Sequence, residues 1–289
     1  MGSVDENAMS IDSISGAFVH EHEAMNTTFS IRLLGMEGAS ARSLAQLCIE
    51  KIDQLEGQLS RYMEGSDVSR INALSRGETL YISEATHQCL LLAMEAARQT
   101  QGLFDITLGK RIEHLKRGNE SPIPELHGRL KVHPDVPAVS CEEAGREIDL
   151  GGIGKGFALD QLRQLLIDWE CQAALLCAGA SSMLAYGSAT WPVELGGKRG
   201  KRIELQAMSL SASGKGIQGS HLLHPWGEEA MPAEPCDRVW VMAECAATAE
   251  VWSTALMLLE PAEFAEALCA VSGVHQVYAQ REGQITCVM

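Results

Sequence analysis

Four segments of the sequence carry residue types able to do chemistry. The densest is Asp149-Leu-Gly-Gly-Ile-Gly154-Lys155-Gly156-Phe157, directly before a predicted helix. Its glycines let backbone N–H groups approach a ligand closely, and a helix start adds partial positive charge. Lys155 supplies a full one. The loop therefore suits phosphate oxygens, or it is a tight structural turn. Its spacing is neither a Walker A loop, because Gly156 follows Lys155, nor the G-x-G-x-x-G of a dinucleotide fold. A second segment, Ala246 to Ala255, places Glu250 and Thr254 four apart on a predicted helix, so both oxygens leave one face. A carboxylate and a hydroxyl are hard ligands suited to Mg²⁺; the alternative is a solvated Glu250 and a packed Thr254. The third, Ser220-His221-Leu-Leu-His224-Pro225, follows three glycines and reads as loop or strand. A histidine there titrates in the range needed for proton transfer. The fourth, Gly102-Leu-Phe104-Asp105-Ile-Thr107-Leu-Gly109, offers a ring that packs or stacks and a carboxylate that caps a turn.

Periodicity supplies the elements that must hold these groups. Phe29 to Leu34 reads as a strand. Leu44, Leu47, Cys48, Ile52, Leu55 and Leu59 mark an amphipathic helix over 40–63. Ser83 is the expected N-cap of a helix reaching Thr100. Between Lys110 and Glu147 four prolines break the pattern, which predicts irregular strands or an excursion. Helix returns over 157–169. Strands are expected at 173–177, 183–186, 191–195, 202–206 and 208–212, a long helix over 246–260 and another over 262–272. A closing hairpin joins 276–279 to 284–288. Strands and helices mix without strict βαβ alternation, so the fold class is α+β. Residues 1–20 read as a flexible tail and 21–289 as one domain.

Composition narrows the function classes. Lys and Arg number 23 against 38 Asp and Glu, a net charge of −15. That surface repels phosphate backbones, which argues against nucleic acid as a partner. Nine cysteines without a CxxC pair support neither a zinc cage nor a disulfide framework. Cys171 to Val193 carries no charge, yet Gly179, Gly187 and Pro192 divide it into short pieces, as in buried strands rather than a membrane span. The first twenty residues lack a basic start and an apolar run, so the chain as written is expected in the cytoplasm, or exported if a native leader has been removed.

Taken in order, these segments resemble the ApbE family, the FAD:protein FMN transferases. Met25-Asn-Thr-Thr resembles the family's M-G-T opening, and Ser60-Arg-Tyr62 through Asn72 its S-x-Y-x-x-x-S-x-x-S-x-x-N run. Phe104-Asp105-Ile-Thr107-Leu-Gly109 resembles F-D-P-T-x-G. Asp149 to Asp160 resembles D-L-G-G-I-A-K-G-Y-A-x-D. Ser213-Gly214 and Ser220-His221-Leu-Leu-His224-Pro225 follow S-G and S-H-I-I-D-P, and Ala246 to Ala255 resembles A-A-x-A-D-A-x-A-T-A.

The resemblance implies an α+β, T-fold-like domain of mixed or antiparallel sheets with flanking helices. It implies an FAD site lined by Met25, Tyr62, Phe104, Asp105, Gly151, Lys155 and Phe157. Mg²⁺ would be held by the Gly154 carbonyl, Glu250 and Thr254, with His221 as base and Lys155 assisting. The implied reaction moves FMN from FAD to a Thr or Ser hydroxyl of an acceptor protein and releases AMP. The alternatives are an FAD pyrophosphatase and a flavin-binding protein without turnover. Departures from the pattern are Asn26 for Gly, Ile106 for Pro, Ala180 for the acid of a G-G-D loop, His224 for the Asp of D-P, and Glu250 for Asp.

Overall fold

A computed structural model describes residues 9–11, 16–118, 122–197, 200–214 and 223–289. In chain order its elements are β1 (Ser10–Ile11), β2 (Phe18–Ala24), β3 (Thr27–Leu34), α1 (Gly38–Leu59), α2 (Asp67–Asn72), β4 (Thr79–Tyr81), α3 (Glu84–Gln99), α4 (Gly109–Lys116), β5 (Arg129–Val132) and β6 (Ala138–Glu143). After these come α5 (Gly154–Asp168), β7 (Ala173–Ala178), β8 (Ser182–Gly187), β9 (Trp191–Leu195), β10 (Lys201–Leu205), β11 (Ser209–Gly214), β12 (Arg238–Ala243), α6 (Ala246–Leu256), α7 (Phe264–Leu268), β13 (Val274–Arg281) and β14 (Gln284–Cys287). The described residues gather into two compact units, one drawn from those within 1–53, 155–220 and 231–289, the other from those within 54–154 and 221–230.

The first unit holds an eight-stranded sheet in the order β14-β13-β12-β11-β8-β7-β3-β2, antiparallel throughout. A small sheet, β1-β9-β10, shares a core with it, where Trp191, Val193 and Leu205 meet Leu175, Met183 and Trp240. β7 and β12 are buried at every position, so β7, and β12 after Arg238, read as continuous apolar runs and lack the alternation of a half-exposed strand. The uncharged stretch from Cys171 to Val193 is accordingly β7, β8 and most of β9. No described helix is long and apolar enough to cross a membrane.

The turn between β2 and β3 is made by Met25 and Asn26, at φ 50° and 58°. Two successive left-handed residues match the twist of a two-residue hairpin. Asn tolerates that region best after glycine, which explains how Asn26 replaces the Gly of the resembled motif. Within the stretch expected as tail, Ser10–Ile11 pair with β9 and Phe18–His20 open β2.

In the second unit, β4-β6-β5 form an antiparallel sheet beside α2, α3 and α4. Ser66 and Ser83 cap α2 and α3, accepting from Ser69 N at 2.9 Å and Thr86 N at 3.3 Å. Asp67 joins the two helices, accepting from Ser83 N at 2.9 Å and Thr86 Oγ1 at 2.8 Å. The proline-rich region therefore contains α4 and two short strands.

Candidate active site

In the first unit the site is built by the approach of α5 to the N-terminus of α6. Gly156 makes that approach possible, because a Cβ there would lie 2.5 Å from the Ala246 carbonyl oxygen and 2.7 Å from Ala247 N. One turn further along α5, Asp160 caps α6: its two carboxylate oxygens accept from Ala246 N and Ala247 N, each at 2.9 Å. Burial pushes the Asp160 carboxyl above its ordinary value, and the two amides oppose that shift. Gly156 and Asp160 are four apart, so both lie on the face of α5 that meets α6. Asp160 closes the glycine-rich motif in the sequence, and its i, i+4 spacing from Gly156 is the local signal for this cap.

That docking brings Glu250 onto the start of α5. Gly156 N donates to Glu250 Oε2 at 2.9 Å, and Lys155 Nζ lies 3.0 Å from Oε1, where the Ser182 hydroxyl also donates. The pair is deeply buried, with 11% of the Lys155 side chain and 4% of the Glu250 side chain exposed. Lys155 and Glu250, expected to serve phosphate and metal separately, are thus ion-paired with each other. Ser182 was not anticipated; it lies 68 residues from Glu250 in the chain.

Thr254 belongs to a hydroxyl chain between α6 and β11. Its Oγ1 is 3.2 Å from Ser213 Oγ, which is 2.9 Å from Ser253 Oγ, and Ser253 donates to the Glu250 carbonyl at 3.0 Å. Ser211 donates to the Ser181 carbonyl at 3.1 Å, while Ser181 Oγ is buried without a hydrogen-bond partner among the described residues. Phe157 is a core residue, 1% exposed. Met25 sits at the strained hairpin tip, and Gly179 of the β7–β8 turn donates to Thr28 O at 2.9 Å beside it.

In the second unit Arg61 organises the acidic end of the glycine-rich loop, reaching Glu147 at 2.7 Å and Asp149 at 3.3 Å. Asp149 also accepts from Gly151 N at 2.8 Å. Asn72, the last residue of the Ser60 motif, exchanges two hydrogen bonds with the backbone of Ile148, at 2.9 and 2.6 Å. Asp105 closes an Asx turn, accepting from Thr107 N and Oγ1 at 2.7 Å each, with Arg146 3.9 Å away. Phe104 is buried, and Gly152 leaves it room: a Cβ there would meet the ring at 3.1 Å. Tyr62 is 63% exposed, with Arg61 and Lys116 within 5.6 Å and 5.3 Å of its ring centroid. Lys116 donates to its hydroxyl at 3.0 Å. Gly154 N donates to the Leu150 carbonyl at 2.7 Å as α5 begins.

His221 lies outside the described residues. His224, which stands in place of an Asp, is buried; its Nδ1 accepts from Trp226 N at 3.3 Å and its ring is 5.1 Å from the indole. Burial holds its pKa below the ordinary histidine value.

The donor set fits a hard divalent cation. Among the described residues no three His, Cys, Asp or Glu side chains cluster as a metal cage. Glu250 and Thr254 instead offer two oxygen donors one helical turn apart, with Lys155 and Ser182 on Glu250 Oε1 and Gly156 N–H on Oε2. One carboxylate with remaining positions left to water and phosphate is the usual environment of Mg²⁺.

The ApbE family model matches residues 25–277. The chain belongs to the ApbE family. It is 23% identical to the FAD:protein FMN transferase of Klebsiella pneumoniae, covering 93% of this chain and 86% of the relative. The Salmonella typhimurium protein of the same name is 24% identical over 88% of this chain and 82% of its own length. Among solved structures, the apo form of the flavinyl transferase ApbE of Pseudomonas stutzeri superposes with a TM-score of 0.78 at 21% identity, covering 96% of this chain and 97% of the other. The ApbE protein of Thermotoga maritima does so with a TM-score of 0.76 at 23% identity, covering 93% and 96%. The α+β ApbE fold expected from the ordered motifs is the fold observed.

Proposed function

We propose that this ApbE-family chain is an FAD:protein FMN transferase that uses Mg²⁺, moving FMN from FAD to a Ser or Thr hydroxyl of an acceptor protein with release of AMP. The observation that carries this reading is the family match over residues 25–277, which includes Lys155, Glu250 and Thr254. The acceptor oxygen attacks the FMN-side phosphorus of the diphosphate. The bond from that phosphorus to the bridging oxygen breaks, and AMP leaves with the oxygen. His221 takes the proton of the acceptor hydroxyl. Lys155 carries the charge that neutralises diphosphate oxygens, in a buried setting where water does little to screen it. Glu250 and Thr254 would hold the Mg²⁺, which supplies Lewis-acid stabilisation of the charge developing on the leaving phosphate.

The test is incubation of the full chain with FAD, Mg²⁺ and a candidate acceptor, read by in-gel flavin fluorescence and by AMP release. A fluorescent acceptor band with equimolar AMP is expected. AMP without a labelled band would make the chain an FAD pyrophosphatase, and stoichiometric FAD uptake without product would make it a flavin-binding protein. In the same assay His221→Ala should lose about 10²–10⁴-fold in transfer rate while keeping its FAD affinity; equal loss of both would make His221 a binding residue.

A further inference from the structure

We infer that Lys155 is the resident counter-ion of Glu250 and must be drawn away by the FAD diphosphate before Glu250 can take the metal, so that FAD and the divalent cation bind with positive coupling. The inference rests on the proposed use of FAD and a divalent cation. Glu250 has about four lone-pair positions. Oε1 receives both the Lys155 ammonium, at 3.0 Å, and the Ser182 hydroxyl, and Oε2 receives Gly156 N–H at 2.9 Å. Three positions are filled, and Oε1 has none left.

A magnesium-sized ion needs near-ideal octahedral geometry at about 2.0–2.1 Å from its oxygens. While Lys155 sits on Oε1, a second cation on this carboxylate would face an ammonium a few ångströms away in a poorly solvated setting, where like-charge repulsion is strong. The two cations therefore compete. Gly156 and Ser182 both donate and cannot leave with the lysine, so they hold the carboxylate in place for either cation. A diphosphate offers Lys155 other anionic oxygens, and moving the ammonium onto them frees one of the two positions on Oε1 while Ser182 keeps the other. Each ligand thereby removes the obstacle to the other, which defines a reciprocal coupling free energy between two sites. Glu250 in place of Asp, with its extra methylene, gives the carboxylate the reach to meet Lys155, Ser182 and Gly156 together.

The experiment uses the purified full chain, with Mn²⁺ as the metal probe, read by loss of the free-ion electron paramagnetic resonance signal, and FAD binding read by fluorescence. In the wild type, saturating FAD should tighten Mn²⁺ binding at least tenfold. Lys155→Gln should bind Mn²⁺ at least tenfold more tightly than the wild type without FAD, and FAD should add less than threefold to it. Glu250→Gln should bind FAD without metal more tightly than the wild type, because its lysine is released; a merely structural role would weaken it. If Lys155→Gln does not fold, the wild-type and Glu250→Gln measurements decide. Wild-type chain that takes up FAD and Mn²⁺ independently, or a Lys155→Gln variant no better at binding Mn²⁺, overturns the exchange while leaving the transferase reading in place. Failure to take up FAD under any condition overturns both.

Discussion

Glu250 is held by three donors from two separate stretches of chain, the consecutive Lys155 and Gly156 of α5 and Ser182 of β8. Thr254, one turn along α6, is tied to Ser213 of β11. Thr254→Val keeps the shape but removes the oxygen. It should lower metal-dependent transfer by about 10–100-fold, the range seen when metal-site partners are removed, with the melting temperature little changed; an unaltered rate at saturating Mg²⁺ would take Thr254 out of the metal site. His224 gives a pH prediction. Its folded pKa lies below the unfolded value of about 6.5, so the unfolded chain binds more protons on the acid side. Stability is therefore full above that value and declines as pH falls through and below it. Denaturant unfolding at pH 7.5 and 5.5 should show a smaller acid-side loss in His224→Gln than in the wild type.

Among the elements, α5 and α6 form the working pair. Gly156 lets their backbones approach and Asp160 supplies the cap that α6 lacks from its own Cys245. Gly156→Ala forces a methyl against the Ala246 carbonyl, and backbone cannot yield as a flexible side chain does. A cost of about 1–3 kcal/mol is expected, read as a lower melting temperature together with weakened FAD binding, since the Gly156 N–H also holds Glu250. Asp160→Ala should cost about 0.5–2 kcal/mol through loss of the cap. The helices α1, α3 and α5 were legible because each repeats apolar residues at three and four. α4 was not: its eight residues alternate basic and apolar side chains without a stripe long enough to count. β12 was not expected either: it is buried on both faces, so it shows no alternation, and its apolar run, opened by Arg238, is only five residues long.

At the scale of the whole molecule, cysteine placement yields a prediction independent of the site. Six of the nine cysteines are buried, and only Cys245, Cys269 and Cys287 are exposed. Burial pushes the Cys48 and Cys177 thiols up to about 12, so neither forms the reactive thiolate near neutral pH. Thiol titration of the native chain at pH 8 should count no more than three groups, rising to nine in denaturant; five or more in the native state would contradict the burial of these cores. The acidic excess of −15 coexists with local positive groups at Lys155, Arg61 and Lys116. Net charge thus speaks to bulk partners such as nucleic acid and leaves a small anionic ligand open.

The sequence by itself determined the family, the fold class and the residue types available for chemistry, because glycine-lysine spacing, helical periodicity and motif order are properties of the chain read locally. Only the tertiary structure decided which of those groups neutralise one another. Lys155 and Glu250 are 95 positions apart, and Ser182 belongs to a strand between them, so no local rule pairs them. Their meeting follows from α6 docking on α5 through a glycine and a capping aspartate, and the buried carboxylate is then satisfied by two donors from the start of α5 and one from β8 of the sheet.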